Sequence, residues 1–431
     1  MVNEHKLSLP TAILINLNIM MGTGIFINTV ELSKRLGIFG AFMYPLIGLL
    51  LLPLIMAIAQ LLTLYPSGGF YIFAKEELHE IIGFLSTWSY FIAKLASATL
   101  MVHVSLSLLT QIFPYLLSIA DILTLDVFIL SVFTALNFLN LKTGSHIQFA
   151  FLGFKLVPLI FVIGAGIIFF SPSSIALLPV EWEGITSSLP LVLYAVMGFE
   201  ATCAISNKII NPERNAPRVI IISFALTLTL IFLFQLLFYT NLGSILLNQT
   251  SYLGAFPALL HNLFSPHHFI IQKLHVLFYV AIATSALGGC YGILYSNNWN
   301  LYILAHNKRI RGHAFLAQLN RQSIPYLCLV VEWLFCIIYL YTTKGNQVIL
   351  QQIAALGTAL TYMISVCALW YAYKKRTISS KLLLIPIFAF FSCLLFIGSC
   401  IRNFLNNGLL ALLGFIVFIL LGFFLYNRRR N

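Results

Sequence analysis

The chain has 431 residues, of which 60% are hydrophobic and 8% are charged, and its mean hydropathy is +0.96. Soluble domains carry about 25% charged residues, so the composition excludes a soluble globular protein and indicates an integral membrane protein. The net charge of +12 does not indicate nucleic acid as a partner. In a chain of this kind the partner is the lipid bilayer, and the distribution of basic residues matters more than their number.

Apolar runs separated by polar segments predict twelve membrane-spanning helices, because a spanning helix needs roughly 20 apolar residues. We therefore expect an all-α integral membrane protein with short loops and no large soluble domain. Short cytoplasmic tails are expected at 1–10 and 428–431, and the first of them lacks a signal-peptide cleavage pattern. The predicted spans are 11–35, 38–64, 84–117, 123–141, 146–170, 186–206, 217–241, 273–304, 323–342, 349–373, 381–401 and 409–427.

Basic residues are distributed unevenly between the two sides of the membrane that this span order defines. Of the 24 Lys and Arg residues, 17 lie on the side of the two termini and 5 on the opposite side. The remaining two, Lys94 and Lys155, lie inside spans. Cytoplasmic loops are enriched in Lys and Arg. The distribution therefore predicts a multi-pass protein of the plasma (inner) membrane with both termini in the cytoplasm.

The first predicted span is interrupted by glycine near its middle. Gly22 and Gly24 flank Thr23 in the run from Met20 to Phe26, and glycine weakens a helix. Lipid offers no partners to unpaired backbone amides and carbonyls. The break therefore has to face protein, water or a ligand, and many secondary transporters build a substrate site from such a break. Close glycine packing between helices is the alternative.

The sixth span has a related interruption, in which Gly198 precedes the carboxylate of Glu200 by two residues. Spans 1 and 6 each begin a block of five spans, and an odd block length makes them enter the membrane from opposite sides. This order is expected for an inverted repeat whose two discontinuous helices cross at the centre. We predict a first repeat at 11–170, a second repeat at 186–373 and two additional helices at 381–427.

Four motifs occur in order along these spans and loops. They are G-T-G-I-F at 22–26, Y-P-S-G-G-F-Y at 65–71, G-F-E at 198–200 followed by N-P-E-R-N-A-P-R at 211–218, and S-A-L-G-G at 285–289. Together they resemble the signatures of the amino acid–polyamine–organocation (APC) transporter family over roughly residues 10–375. The resemblance implies a five-plus-five inverted-repeat fold with two more helices. It also implies transport of amino acids or related amines by proton symport or by exchange.

The two breaks supply complementary backbone groups for the head group of an amino acid. Free amides near Gly22, Thr23 and Gly24, at the positive end of a half-helix, suit a carboxylate. Carbonyls that precede Gly198 suit an ammonium group. The resemblance implies an aromatic lid at Tyr194, for which a packing tyrosine is the alternative. The predicted substrate-binding residues are Met21, Gly22, Thr23, Gly24, Ile25, Tyr194, Ala195, Met197, Gly198, Cys290, Tyr291 and Tyr362.

Two charged residues inside spans are predicted to couple transport to protons. Glu200 is a carboxylate midway through span 6, and charges within a membrane are costly and usually functional; a structural carboxyl bonded to the broken backbone is the alternative. The resemblance implies that Lys155 replaces a coupling cation, with snorkelling to the membrane surface as the alternative. The roles of Lys94 and Glu332 stay open. Lys94 either faces the cavity and disfavours cationic substrates, or is neutralised by a partner.

These features predict a secondary active transporter that moves an amino acid or a polyamine, together with protons, by alternating access. A major-facilitator-type carrier would need an acidic-basic motif between spans 2 and 3, where this chain has P-S-G-G at 66–69. A channel or a non-transporting sensor on the same fold is a further alternative. A membrane enzyme is disfavoured, since the chain has no HExxH, GxGD or GxSxG motif. No cofactor and no metal site are indicated, and the oligomeric state stays open.

Overall fold

The computed structural model describes residues 6–66, 68–139, 141–170, 179–264, 268–376 and 380–427. Of the two predicted tails, 1–5 and 428–431 lie outside the described residues, as does Ser67 of the second motif. The described residues fold into α-helices joined by turns and short 3-10 segments. These helices are α1 (Leu9–Met20), α2 (Gly24–Leu36), α3 (Phe39–Leu64), α4 (Phe70–Glu77), α5 (Glu80–Ile112), α6 (Leu116–Ile119), α7 (Ile122–Leu136), α8 (Leu141–Ile168), α9 (Trp182–Val196), α10 (Ala201–Ile205), α11 (Pro212–Leu242), α12 (Ser244–Leu247), α13 (Ala255–Phe264), α14 (His268–His306), α15 (His313–Leu316), α16 (Tyr326–Thr343), α17 (Gln347–Lys375), α18 (Leu384–Asn407) and α19 (Leu409–Leu425).

The prediction of an all-α membrane protein is confirmed over this part of the chain. Nine helical segments are long and apolar enough to cross a membrane, and α1 with α2 forms a tenth candidate that is bent by 44° at its break. The other two predicted spans correspond to α7, with 15 residues, and α19, with 17. Both are shorter than the roughly 20 residues that a perpendicular span needs, so the arrangement of twelve spans stays a prediction.

The helices differ sharply in how much of their surface lies inside the bundle. In α5, 83% of the most apolar 18-residue stretch is buried. The segment Trp182–Lys208 contains α9 and α10, and 94% of its most apolar 18-residue stretch is buried. In contrast, α3 and α19 expose large apolar side chains such as Leu49 and Leu410. Because a helix that is apolar all round is either central or in contact with lipid, α5 and α9 form the centre of the bundle and α3 and α19 form its rim.

Ion pairs tie together several loops at one end of the bundle. The Glu80 carboxylate lies 2.6 Å from Arg309, just beyond the end of α14, and Glu77 lies 2.8 Å from Arg376, just beyond the end of α17. All four residues belong to the side for which the excess of Lys and Arg predicts the cytoplasm. The structure therefore brings together loops that the predicted order of spans places on the same side of the membrane. The assignment of this side to the cytoplasm stays a prediction.

Helix α19 is held against the centre through the indole of Trp88 on α5. The Trp88 Nε1–H donates to the backbone oxygen of Phe418 at 2.8 Å. The ring also covers Gly422, where an added Cβ would lie 2.4 Å from two indole atoms. The glycine thus makes room for the tryptophan, and this contact docks the C-terminal helix.

We predict that Gly422→Val lowers the thermal stability of the purified protein in detergent. The valine has to displace the buried indole, and overpacking of this kind costs about 1–3 kcal/mol. Gly414→Val on the same helix is the control, because nothing lies within 4 Å of a Cβ at that position. Equal melting temperatures for the two variants would show that α19 is not docked through Trp88.

Candidate functional site

The break between α1 and α2 leaves backbone amides without partners. Met21 and Gly22 still donate to Leu17 and Met20, and the amides of Phe26 and Ile27 both reach the Thr23 carbonyl. Within the described part of the chain, the amides of residues 23–25 have no backbone acceptor. They are the orphan donors of the first turn of α2, and they give this point of the bundle a partial positive charge.

The second break lies between α9 and α10, where Met197 is extended and Gly198 has a φ of +120°. That φ is one which residues with a side chain rarely adopt, so glycine is needed here. The Met197 amide bonds to the Leu193 carbonyl. In the described part of the chain the carbonyls of residues 194–196 accept no backbone hydrogen bond, and they lie at the negative end of that helix.

The two breaks cross in direct contact because glycine is present at each contact point. A Cβ added to Gly24 would lie 2.7 Å from the Cα of Ala195, and one added to Gly198 would lie 2.9 Å from the Cα of Met20. The Thr23 hydroxyl lies 3.3 Å from the Tyr194 hydroxyl across the same crossing. Free amides of one break therefore lie beside free carbonyls of the other.

A small cavity lies at this crossing. The space open to water in it is about 20 Å³, and a single water molecule needs roughly 10–15 Å³. An amino acid does not fit in this space. The cavity is lined by Ile19, Met20, Gly22, Gly24, Lys94, Ser97, Met101, Tyr194, Ala195, Met197 and Ile293.

Helix α5 contributes one face to the cavity, formed by Lys94, Ser97 and Met101. Their spacing of three and four residues places them above one another on the helix. The Met101 thioether reaches between Gly22 and Gly289: its Cε lies 2.4 Å from an added Cβ at the first glycine, and its Sδ lies 2.7 Å from one at the second. Methionine is flexible and fills irregular gaps, and here it occupies much of the space beside the break.

The Lys94 ammonium forms a buried ion pair with Glu200. The Nζ atom lies 2.6 Å from Oε1, and the side chains are 5% and 0% exposed. The carboxylate also accepts hydrogen bonds from the Tyr90 hydroxyl at 3.2 Å and, through Oε2, from the Gly198 amide at 2.8 Å. Glu200 therefore binds both the broken backbone of span 6 and a cation from α5, which settles the identity of the partner of Lys94.

Lys155 on α8 lies one layer behind the cavity and is fully buried. Its Nζ donates to the backbone oxygen of Asn18 at 2.6 Å and to the side-chain oxygen of the same residue at 3.0 Å. The Asn18 side chain in turn donates to the Gly288 carbonyl at 3.2 Å. Because Asn18 lies in the last turn of α1, the ammonium stabilises the negative end of that half-helix.

The structure brings part of the predicted substrate-binding set together around the cavity. Thr23 does not line the cavity, but its hydroxyl contacts that of Tyr194, which does. Gly198 packs on Met20, which also lines the cavity. The predicted residues that line the cavity directly are Gly22, Gly24, Tyr194, Ala195 and Met197.

The other predicted substrate-binding residues lie outside the cavity lining. Tyr291 packs against the rings of Phe133 and Phe151, and Tyr362 stacks on Phe199 with 5.6 Å between ring centroids. In this state none of the following side chains forms the wall of the cavity: Met21, Ile25, Cys290, Tyr291 and Tyr362.

Five cavity residues have no counterpart in the prediction, and Lys94 had no assigned role. All five lie on α1, α5 and α14 and are apolar or small. Since polar and apolar residues are spread around α5 and α14 without a helical period, no sequence pattern marks the face that meets the cavity. The buried lysine was the one local signal on α5. The missed residues are Ile19, Met20, Ser97, Met101 and Ile293.

Comparison with known proteins supports the motif-based resemblance. The family model described as "Amino acid permease" matches residues 7–426. The chain is 27% identical over 248 residues to an uncharacterized transporter of Legionella pneumophila, an alignment that covers 53% of this chain and 52% of that protein. It is 24% identical over 235 residues to an uncharacterized transporter of Mycobacterium tuberculosis, covering 52% and 50%. The chain thus aligns with about half the length of the curated relatives it matches.

The helical bundle with its two crossed breaks is that of an integral, multi-pass membrane protein. The chain belongs to the amino acid permease family, because the family model covers nearly all of it. The resemblance to APC transporters is therefore confirmed.

We predict that Glu200→Gln destabilises the protein by about 3 kcal/mol or more, because it leaves the Lys94 ammonium buried beside a neutral group. The double variant Lys94→Met/Glu200→Gln removes both charges and should recover most of the loss. Melting of the purified proteins in detergent measures both effects. If the single variant is as stable as the double variant, the ion pair does not hold the break together.

Proposed function

We propose that this protein is a secondary active transporter that moves amino acids or related amines across the membrane by alternating access. The observation that carries the proposal is the crossing of two broken helices, which places free amides beside free carbonyls at the centre of the bundle. A zwitterionic head group has one carboxylate and one ammonium, and it satisfies both sets of backbone groups.

In the proposed binding mode, the substrate carboxylate accepts hydrogen bonds from the amides of residues 23–25. The substrate ammonium donates to the carbonyls at the end of α9, and Tyr194 covers the head group from its position beside Thr23. Met21, Ile25 and Gly198 shape the two breaks. We propose that Cys290, Tyr291 and Tyr362 come closer to the substrate when the site opens.

The closed cavity supports a mechanism in which helices have to move before a substrate enters. We propose that 11–170 and 186–373 form the two inverted repeats, that 381–427 forms two additional spans, and that both termini face the cytoplasm. The two repeats then rock about the crossing of the breaks, where Gly24 and Gly198 let the two backbones pack directly against each other.

We propose that Lys155 and Glu200 couple this movement to protons. The Lys155 ammonium holds the end of α1 through Asn18, so loss of its proton removes one of the groups that order the first break. Glu200 holds the second break through Gly198, and it is free to take a proton only when its contact with Lys94 opens.

Counterflow in proteoliposomes tests the transport proposal. Vesicles loaded with an unlabelled amino-acid mixture should accumulate labelled substrate against its gradient, because a carrier exchanges one substrate for another. We predict that Gly24→Val reduces this exchange at least tenfold, since its side chain would push α2 away from the α9 backbone.

Gly153→Val is the matched control for that variant, because a Cβ at Gly153 has nothing within 4 Å. It should exchange like the unchanged protein. Binding without exchange would identify a sensor, and flow that only dissipates the gradient would identify a channel; either result would contradict the proposal.

We predict that Lys155→Met flattens the dependence of exchange on pH. In the unchanged protein, exchange should fall as pH rises and the ammonium that holds α1 loses its proton, whereas methionine has no proton to lose. Initial rates over a pH series measure the effect. Lys273→Met is the control, because Lys273 is an exposed lysine that packs over the Phe269 ring. Parallel pH profiles for all three proteins would remove the proposed role of Lys155.

A further inference from the structure

Among the described residues that line the cavity, Lys94 is the one that carries a charge. Its partner Glu200 lies behind the ammonium and is not part of the lining. A substrate at the crossing of the breaks therefore meets the cation and not the anion. This arrangement favours a substrate group that accepts hydrogen bonds or carries a negative charge.

The Lys94 ammonium keeps donor capacity for such a group. A lysine ammonium has three N–H donors. In the part of the chain that the structure describes, Lys94 makes one polar contact, with Glu200 at 2.6 Å, and its Nζ also lies 5.3 Å from the centre of the Tyr90 ring. Its neighbour on the cavity face, Ser97, is small and adds a hydroxyl.

The buried charges around the breaks do not balance. While Lys155 is protonated, Lys94 and Lys155 carry two positive charges, and Glu200 carries one negative charge. The helix ends at the two breaks are two amino ends and two carboxyl ends, so their partial charges cancel. A zwitterionic substrate adds no net charge, whereas a substrate with one extra carboxylate restores neutrality in a region where unbalanced charge is costly.

The other buried acidic groups do not supply the missing charge. Asp126 is paired with His103, whose Nδ1 lies 2.7 Å from the carboxylate. Glu332 on α16 has the Asn297 carboxamide as its polar neighbour, and no cation pairs with it among the described residues. Neither residue lies in the cavity lining.

We infer that the substrates are amino acids with an acidic side chain, and that Lys94 binds the side-chain carboxylate. This inference rests on the proposed transport function and names the substrate class for the same site. The head group occupies the two breaks, and the second carboxylate lies against the cavity face of α5. Cationic amino acids and polyamines are rejected, because they would place a further positive charge beside the ammonium.

Exchange against different external amino acids in the counterflow assay tests the inference. Separate preparations of proteoliposomes are loaded with labelled glutamate, aspartate, leucine or lysine, and the external solution contains glutamate, aspartate, leucine, lysine or putrescine. We expect the two acidic amino acids to drive exchange, leucine to drive it weakly, and lysine and putrescine to drive none.

The double variant Lys94→Met/Glu200→Gln removes the cation without leaving a buried lone charge. We expect its preference for glutamate over leucine to fall by on the order of tenfold to a hundredfold. This factor corresponds to the binding free energy of one charge-assisted hydrogen bond. Lys94→Arg keeps the charge and should keep the preference for acidic substrates. Lys273→Met, on a lysine outside the site, should leave the preference unchanged.

Two outcomes separate this inference from the transport proposal. Exchange of neutral or cationic amino acids without exchange of acidic ones would overturn the substrate class and leave the transporter assignment intact, as would an unchanged preference in the double variant. Failure of every labelled amino acid, acidic, neutral or cationic, to exchange would overturn the transport proposal, and the inference with it.

Discussion

The structure depends on one constraint, which is that backbone amides and carbonyls inside a membrane need partners. Two spans of this chain break that pairing at their middle, and they do so in contact with each other. Glycine at positions 24 and 198 lets the two backbones approach closely. The unpaired amides of one break and the unpaired carbonyls of the other then share a single small space. The proposed site for a group with both a negative and a positive end rests on this arrangement.

Charged side chains bind backbone groups at the two breaks. Lys155 binds the end of α1, and Glu200 binds the Gly198 amide at the break of span 6. Lys94 then balances Glu200 from α5. Each of these groups stabilises the discontinuous helices in this structure. The structural role considered for Glu200 matches these contacts, and the proton coupling proposed above does not conflict with it.

Helix α5 links the site to the rest of the bundle. One face forms the cavity wall, with Met101 filling the space between Gly22 and Gly289, and another holds α19 through Trp88. Its central position explains why a lysine on it is able to reach a carboxylate on span 6. The Met101 contacts with Gly22 and Gly289 also explain why the cavity is too small for an amino acid, because the thioether occupies the space beside the break.

The sequence by itself determined the class of protein, the order of the helices and the position of both breaks, because apolar length and glycine placement are local properties of the chain. The motifs also determined the family. Tertiary structure decided the rest: that Glu200 is the partner of Lys94, that Ser97 and Met101 face the site, and that Tyr291 and Tyr362 pack away from it. These are contacts between helices far apart in the chain. Helices that are apolar on every side carry no periodic mark of the face that meets a neighbour, so only their packing shows which residues come together.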